Sequence, residues 1–123
     1  MSFEKDGIVQ VGPEELMEIY NSGEKEPIII DVREPEEYEQ GHIPGVPLIP
    51  MNTIPEHVEK LKQERSYIFV CRSGGRSQKV SLFLKEKGFD NVRNYAGGML
   101  EWTGELKHGL EWVVTDASEL GEK

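Results

Sequence analysis

One short segment gathers most of the chain's chemistry: Cys71-Arg72-Ser73-Gly74-Gly75-Arg76-Ser77. Cys71 is the only cysteine, and a thiolate is a potent nucleophile wherever its surroundings favour the anion. The segment lies between the apolar run Tyr67-Ile68-Phe69-Val70 and a stretch with Val80, Phe83 and Leu84 on one helical face. It therefore reads as the turn from a strand into a helix. In a parallel sheet that junction falls at the carboxyl edge, where ligands bind. Two adjacent glycines let the backbone curl so that successive N–H groups face one point, an anion-binding nest. The helix that follows adds its positive end, worth roughly half an elementary charge.

Charge agrees with this reading. Arg72, Arg76 and Lys79 cluster near the cysteine, and no acidic residue stands between Cys71 and Lys85 in a chain of net charge −9. The pattern predicts a thiol that ionises below the ~8.5 of a free cysteine and an anionic substrate. The competing reading is a buried, inert cysteine followed by an ordinary glycine turn, since cysteine is often buried. The concentration of arginine and glycine beside Cys71 favours the reactive site.

The elements that must position this segment alternate between apolar runs and amphipathic stretches, the pattern of an α/β fold. Strands are predicted at Ile8–Val11, Ile28–Val32, Tyr67–Val70 and Val92–Tyr95, and the prolines at 44, 47 and 50 leave room for at most a short edge strand near Leu48-Ile49. The run at 28–32 is β-branched and nearly continuous, as expected of a strand buried on both faces. Helices are predicted from Pro13 through Tyr20, over Pro35–Gln40, over the Ile54, Val58 and Leu61 spacing, and from the loop glycines to Gly88. Gly97-Gly98 opens a helical turn running to Trp102, the pattern blurs beyond Gly104, and residues 119–123 are expected to fray.

At 123 residues, with 37% hydrophobic and 30% charged side chains, the chain fits one domain with its own core. Fourteen basic against twenty-three acidic residues give no reason to expect nucleic acid or a membrane as partner. A lone cysteine and three scattered histidines cannot assemble a Cys/His zinc site, so no metal is expected. A free cysteine, a charged start without an apolar run and no membrane-length apolar segment point to the cytoplasm.

Cys71 to Ser77 resembles the active-site loop of single-domain rhodaneses, the family of thiosulfate and persulfide sulfurtransferases. Two more segments are similar to the same family. Asp31-Val32-Arg33-Glu34-Pro35-Glu36-Glu37-Tyr38, running into Gly41-His42-Ile43-Pro44-Gly45, resembles its N-terminal signature. Ala96-Gly97-Gly98-Met99-Leu100-Glu101-Trp102 resembles its C-terminal one. Two positions depart from the family pattern: Val46, where alanine is common, and Met99, where an aromatic is common. Both read as packing sites.

The resemblance implies an α/β fold with a five-stranded, mainly parallel sheet flanked by helices on both faces. It implies one domain over 1–123, with the core at about 8–104. It sets the strand ending at Asp31 beside the one ending at Cys71. Asp31 then either pairs with Arg76 or caps the turn at Glu34-Pro35. Arg33 either holds the same edge or is solvated. His42 reads as a turn residue, and Tyr95 and Trp102 as core or rim.

The implied reaction is a double displacement through a Cys71 persulfide, with the loop from Arg72 to Ser77 binding the charge and no cofactor required. The donor is a small anion such as thiosulfate, and the acceptor a thiol-bearing protein. The arginine-rich loop resembles the thiosulfate type more than the mercaptopyruvate type. Two alternatives stand beside it. Cysteine-dependent phosphatases share this fold but place five residues between cysteine and arginine, where four separate Cys71 from Arg76. A non-catalytic interaction module of the same fold commonly loses the cysteine or the glycines, and both are present.

Overall fold

The computed structural model describes residues 3–120. Its sheet is built on two short runs in which every residue is buried, β3 (Ile28–Asp31) and β4 (Tyr67–Val70). Runs this apolar can pair only where both faces are covered. They lie side by side in parallel, with Ile28 opposite Tyr67 and Asp31 opposite Val70. On the other side of β4 runs β5 (Val92–Tyr95), also parallel, and beyond it β2 (Ile8–Val11). A short strand β1 (Phe3–Lys5) closes the edge antiparallel to β2, giving the order β1-β2-β5-β4-β3.

Alternation sorts the sheet's side chains into two cores. Ile28, Ile30, Tyr67 and Phe69 face a cluster completed by Val80 and Leu84 of helix α4 (Gly75–Glu86) and by Ile54 of the single-turn helix α3 (Ile54–His57). Ile29, Ile68, Val70 and Tyr95 face the opposite way, against Leu16 of helix α1 (Pro13–Asn21). Helices therefore cover both faces, as expected. A fourth helix, α2 (Pro35–Gln40), opens with a capping box in which Glu34 and Glu37 satisfy each other's backbone N–H groups. Among the described residues no helix is long and apolar enough to cross a membrane.

Two expectations need correction, and the limit set on the proline-rich stretch holds. The sheet has five strands, but the fifth is β1, formed by a turn at Asp6-Gly7 where both residues have positive φ. Leu48 makes only isolated bridges to Asp31 and Val113, because the flanking prolines remove the N–H groups a ladder needs. The helix read over 54–61 stops after one turn at His57, although Ile54 and Leu61 are both buried.

The tail also departs from expectation. His42 and Lys107 exchange backbone hydrogen bonds, Val114 donates to the Leu48 carbonyl, and Val114, Ala117 and Leu120 join the α4-side core. Glu119 ends a helical turn at Ala117–Glu119, so fraying does not begin there; 121–123 lie outside the described residues. The two departures from the family pattern are packing sites, with Val46 buried in the α1-side core and Met99 packed against it.

Candidate active site

The parallel strands β3, β4 and β5 all end at one edge, and the three sequence segments meet there. β4 delivers Cys71; the chain then turns through Arg72 and Ser73 and enters α4 at Gly75. The turn works because Gly74, the residue before the helix, takes φ 93°, a value that costs an L side chain energy. A Cβ there would also collide with the Ala96 carbonyl oxygen. From β5, the turn at Gly98 packs its bare Cα against the Cys71 and Arg72 carbonyls. Met99 N–H donates to Cys71 O at 2.9 Å and Leu100 N–H to Arg72 O at 3.1 Å. The Gly-Gly signature is thus the brace of the cysteine loop.

Cys71 is 1% exposed. Its Sγ accepts the Gly74 N–H at 3.0 Å and the Ser77 hydroxyl at 3.3 Å. Burial pushes its pKa up, but the Ser77 hydroxyl and the backbone N–H groups of Ser77, Ser73 and Gly74 outweigh it, and the pKa falls below its ordinary value. The direction of this shift is the one expected from the loop's residues. The sulfur is buried, with the Gly74 N–H and the Ser77 hydroxyl directed at it.

The arginines do other work. Arg76 grips Glu37 of α2 through both guanidinium ends, at 2.6 and 2.9 Å. That hydrogen bond, opposed by burial and helped by the Glu34 N–H and the Arg76 charge, holds the Glu37 pKa down to about 2. The Arg76 pKa is raised, by Glu37 first and to a lesser degree by Cys71.

Asp31 does not pair with Arg76. Its Oδ1 accepts the Arg33 N–H at 3.0 Å, and its two oxygens take the Arg33 guanidinium in a buried pair at 2.8 Å. Arg33 is itself buried and donates to the Gly41 carbonyl. Together they tie the turn after β3 to the end of α2. Arg72, the remaining loop cation, is exposed and borders a depression with Met99, Leu100 and Trp102 on its wall.

His42 is fully buried, stacked on Tyr38 at 3.7 Å and hydrogen-bonded to the Tyr38 carbonyl and Glu111. Tyr95 is core, and Trp102 meets Tyr20 edge-on. Tyr95 and Trp102 fit the core and rim roles read from the sequence, whereas His42, read as a turn residue, forms an isolated bridge to Lys107. Among the described residues no three metal-ligating side chains converge.

The structure adds four residues to the site that the sequence reading passed over. Glu37 is one. The others form a buried polar network behind Ser77. The Ser77 hydroxyl also reaches Asn94 Oδ1 on β5; Asn94 Nδ2 donates to Gln10 Oε1 and the Gly74 carbonyl. Gln10 on β2 donates to Gln78 Oε1 and the Ile8 carbonyl, and Gln78 donates to the Lys5 carbonyl. A signal existed: Gln10 and Asn94 are uncharged polar residues inside short strands, and a buried amide requires partners.

The model of the rhodanese-like domain family matches residues 12–105. YtwF of Bacillus subtilis, whose name proposes a sulfurtransferase, is 45% identical over 100 residues, covering 76% of this chain and 96% of YtwF. A protein named sulfurtransferase from Allochromatium vinosum is 34% identical over 89 residues, covering 72% of this chain and 80% of that protein. Among solved structures, a rhodanese-like domain protein from Staphylococcus aureus superposes with a TM-score of 0.72 at 37% identity, over 80% of this chain and 96% of that one. The fold, the three signatures at one sheet edge and these likenesses agree: the chain belongs to the rhodanese-like domain family.

Proposed function

We propose that this chain is a sulfurtransferase that carries a sulfane sulfur from thiosulfate, or a related small anionic donor, to a thiophilic acceptor as a persulfide on Cys71. One observation carries the reading: the only thiol lies at the centre of N–H and O–H donors from Gly74 and Ser77 that favour its anion. Homologues named for sulfur transfer support the reaction class.

The Cys71 thiolate attacks the outer sulfur of thiosulfate, a new S–S bond forms, and the old one breaks with its electron pair leaving on sulfite. The charge now sits on the outer sulfur of the persulfide. The loop from Arg72 through Ser73, Gly74, Gly75 and Arg76 to Ser77 surrounds it with backbone N–H groups and the α4 dipole. An acceptor nucleophile, cyanide in an assay or a protein thiolate in a cell, then takes that sulfur and returns Cys71 as thiolate. Neither step requires a base, a metal or an organic cofactor. Asp31 and Arg33 act indirectly by holding the adjoining edge.

The unit that does this is a single domain over 1–123, and we place it in the cytoplasm, where the thiol stays reduced. The test is intact mass after thiosulfate treatment. The parent gains one sulfur atom and Cys71→Ser gains none; cyanide removes it and releases thiocyanate. Sulfur loading on the serine variant, or aryl phosphate hydrolysis exceeding sulfur transfer, would overturn the proposal.

A further inference from the structure

The Ser77 hydroxyl has one proton and two acceptors within reach, Cys71 Sγ and Asn94 Oδ1. Which acceptor it serves depends on how firmly the Asn94 amide is oriented. Backbone carbonyls fix it. Asn94 Nδ2 donates to the Gly74 carbonyl, which can only accept, so Oδ1 must face Ser77. Its second proton goes to Gln10 Oε1, whose own amide is fixed by the Ile8 carbonyl, and Gln78 is fixed in turn by the Lys5 carbonyl. Ser77, Gln10, Gln78 and Asn94 are all buried, so no water competes.

We propose that Asn94 is a positioning residue for sulfur transfer: its Oδ1 holds the Ser77 hydroxyl off the sulfur while Sγ is neutral and releases it to Sγ when the thiolate forms. The inference rests on Cys71 being the sulfur carrier. In the persulfide the negative charge is on the outer atom, and Sγ is a neutral divalent sulfur, a weak acceptor beside an amide oxygen. When the acceptor attacks the outer sulfur, the S–S electron pair passes to Sγ. That atom becomes a strong, charged acceptor. The hydroxyl then turns about its Cβ–Oγ bond, with no heavy atom moving. The hydrogen bond to sulfur is thus gained as charge develops and the bond to Asn94 Oδ1 is given up, so Asn94 sets how strongly the Ser77 hydroxyl favours the thiolate.

The charged groups on the surrounding elements are Arg72 in the loop, Arg76 and Lys79 on α4, Glu37 on α2, the Asp31–Arg33 pair after β3, Glu101 beyond Gly98, and Arg93 on β5, paired with Glu15. None belongs to the amide network, so altering Asn94 changes no charge. Asn94→Leu keeps the volume and removes the rival acceptor. The Cys71 titration, followed by thiolate absorbance, is expected to fall by about half a unit to one unit, the net value of one hydrogen bond. In a Ser77→Ala background the same substitution moves it no further.

Because Asn94→Leu strips partners from Gln10 and Gly74, a second measurement uses the unaltered chain. The side-chain amide resonances of Asn94 are expected to shift with the Cys71 midpoint, and to stay flat in Ser77→Ala. Resonances that ignore the Cys71 titration, or that shift equally without the Ser77 hydroxyl, would overturn the proposal. So would an equal effect of Asn94→Leu with and without Ser77. No sulfur donor enters these measurements, so their failure is separate from a failure to form the persulfide.

Discussion

Removing the charge of Glu37 should destabilise the protein by an amount that disappears in acid. Glu37 holds Arg76 by two charge-assisted hydrogen bonds and also accepts the Glu34 N–H at the start of α2. Its pKa is lowered from 4.5 to about 2 by the Arg76 hydrogen bond, against burial. At about 1.4 kcal/mol per pH unit, that difference amounts to roughly 3 kcal/mol. Both side chains keep about a third of their surface in water, at 31% and 30%, so screening reduces the expected contribution to roughly 1–2 kcal/mol.

The direction follows from proton binding. Between pH 4.5 and about 2 the unfolded chain holds the Glu37 proton and the folded chain does not. Stability therefore rises with pH across that window and is complete above it. Glu37→Gln removes this contribution. In urea unfolding series the variant is expected to be less stable than the parent by roughly 1–2 kcal/mol at neutral pH, with the gap closing as pH falls toward about 2. Other carboxylates titrate in both proteins and cancel in the difference. A gap that persists unchanged into acid would show that the loss is one of packing, and no gap at neutral pH would show the ion pair to be idle.

The glycines separate cleanly. Gly98→Ala is expected to cost about 1–3 kcal/mol by overpacking the Cys71–Arg72 peptide, whereas Gly75→Ala, with open space at its Cβ and a place in the first turn of α4, should be neutral or slightly stabilising in thermal unfolding. Burial would raise the Glu111 pKa, but hydrogen bonds from the Gly45 N–H, His42 and Lys107 outweigh it and hold it down to about 2. Glu111→Gln is expected to cost about 1–3 kcal/mol and to speed proteolysis after Lys107; unchanged cleavage would show that the backbone hydrogen bonds and apolar contacts of the tail hold it without Glu111.

Most of the frame was legible because it depends on local pattern. Ile28–Asp31 and Tyr67–Val70 are too apolar and β-branched to be anything but buried strands, and Pro13 and Gly88 mark their helix ends as sequence rules require. The misjudged pieces are those where pattern and tertiary context part. Ile54, Val58 and Leu61 have helical spacing, yet only one turn forms, since the apolar residues are satisfied by a looser loop. Phe3–Lys5 is exposed throughout, so no apolar pattern marks it; the Asp6-Gly7 turn is what pairs it with β2. The tail was opaque because its anchors, Val114, Ala117 and Leu120, recur every third residue in a stretch held mostly as loop, a spacing that marks neither a strand nor a long helix.

The site divides on the same line. Cys71, its glycine loop and the helix behind it are contiguous, so their joint effect on the sulfur could be read from seven residues. The partner of Arg76 could not: the segment before α2 and its first turn offer Asp31, Glu34, Glu36 and Glu37, and the choice depends on how α2 lies across the mouth of α4. Of the two roles open to Asp31, pairing with Arg76 is not taken because Arg33, two residues on, occupies both its oxygens, while Oδ1 also accepts the Arg33 N–H in the turn after β3. The Asn94 network is further still from any local rule, since it joins β2, β5 and α4 across 84 positions of sequence. Its members are nevertheless conspicuous. A buried strand has no reason to carry an amide unless that amide is hydrogen-bonded, so Gln10 and Asn94 imply a network before its geometry is known. Their strands pair in register, Gln10 opposite Asn94, and that pairing delivers the network to the loop holding the thiol.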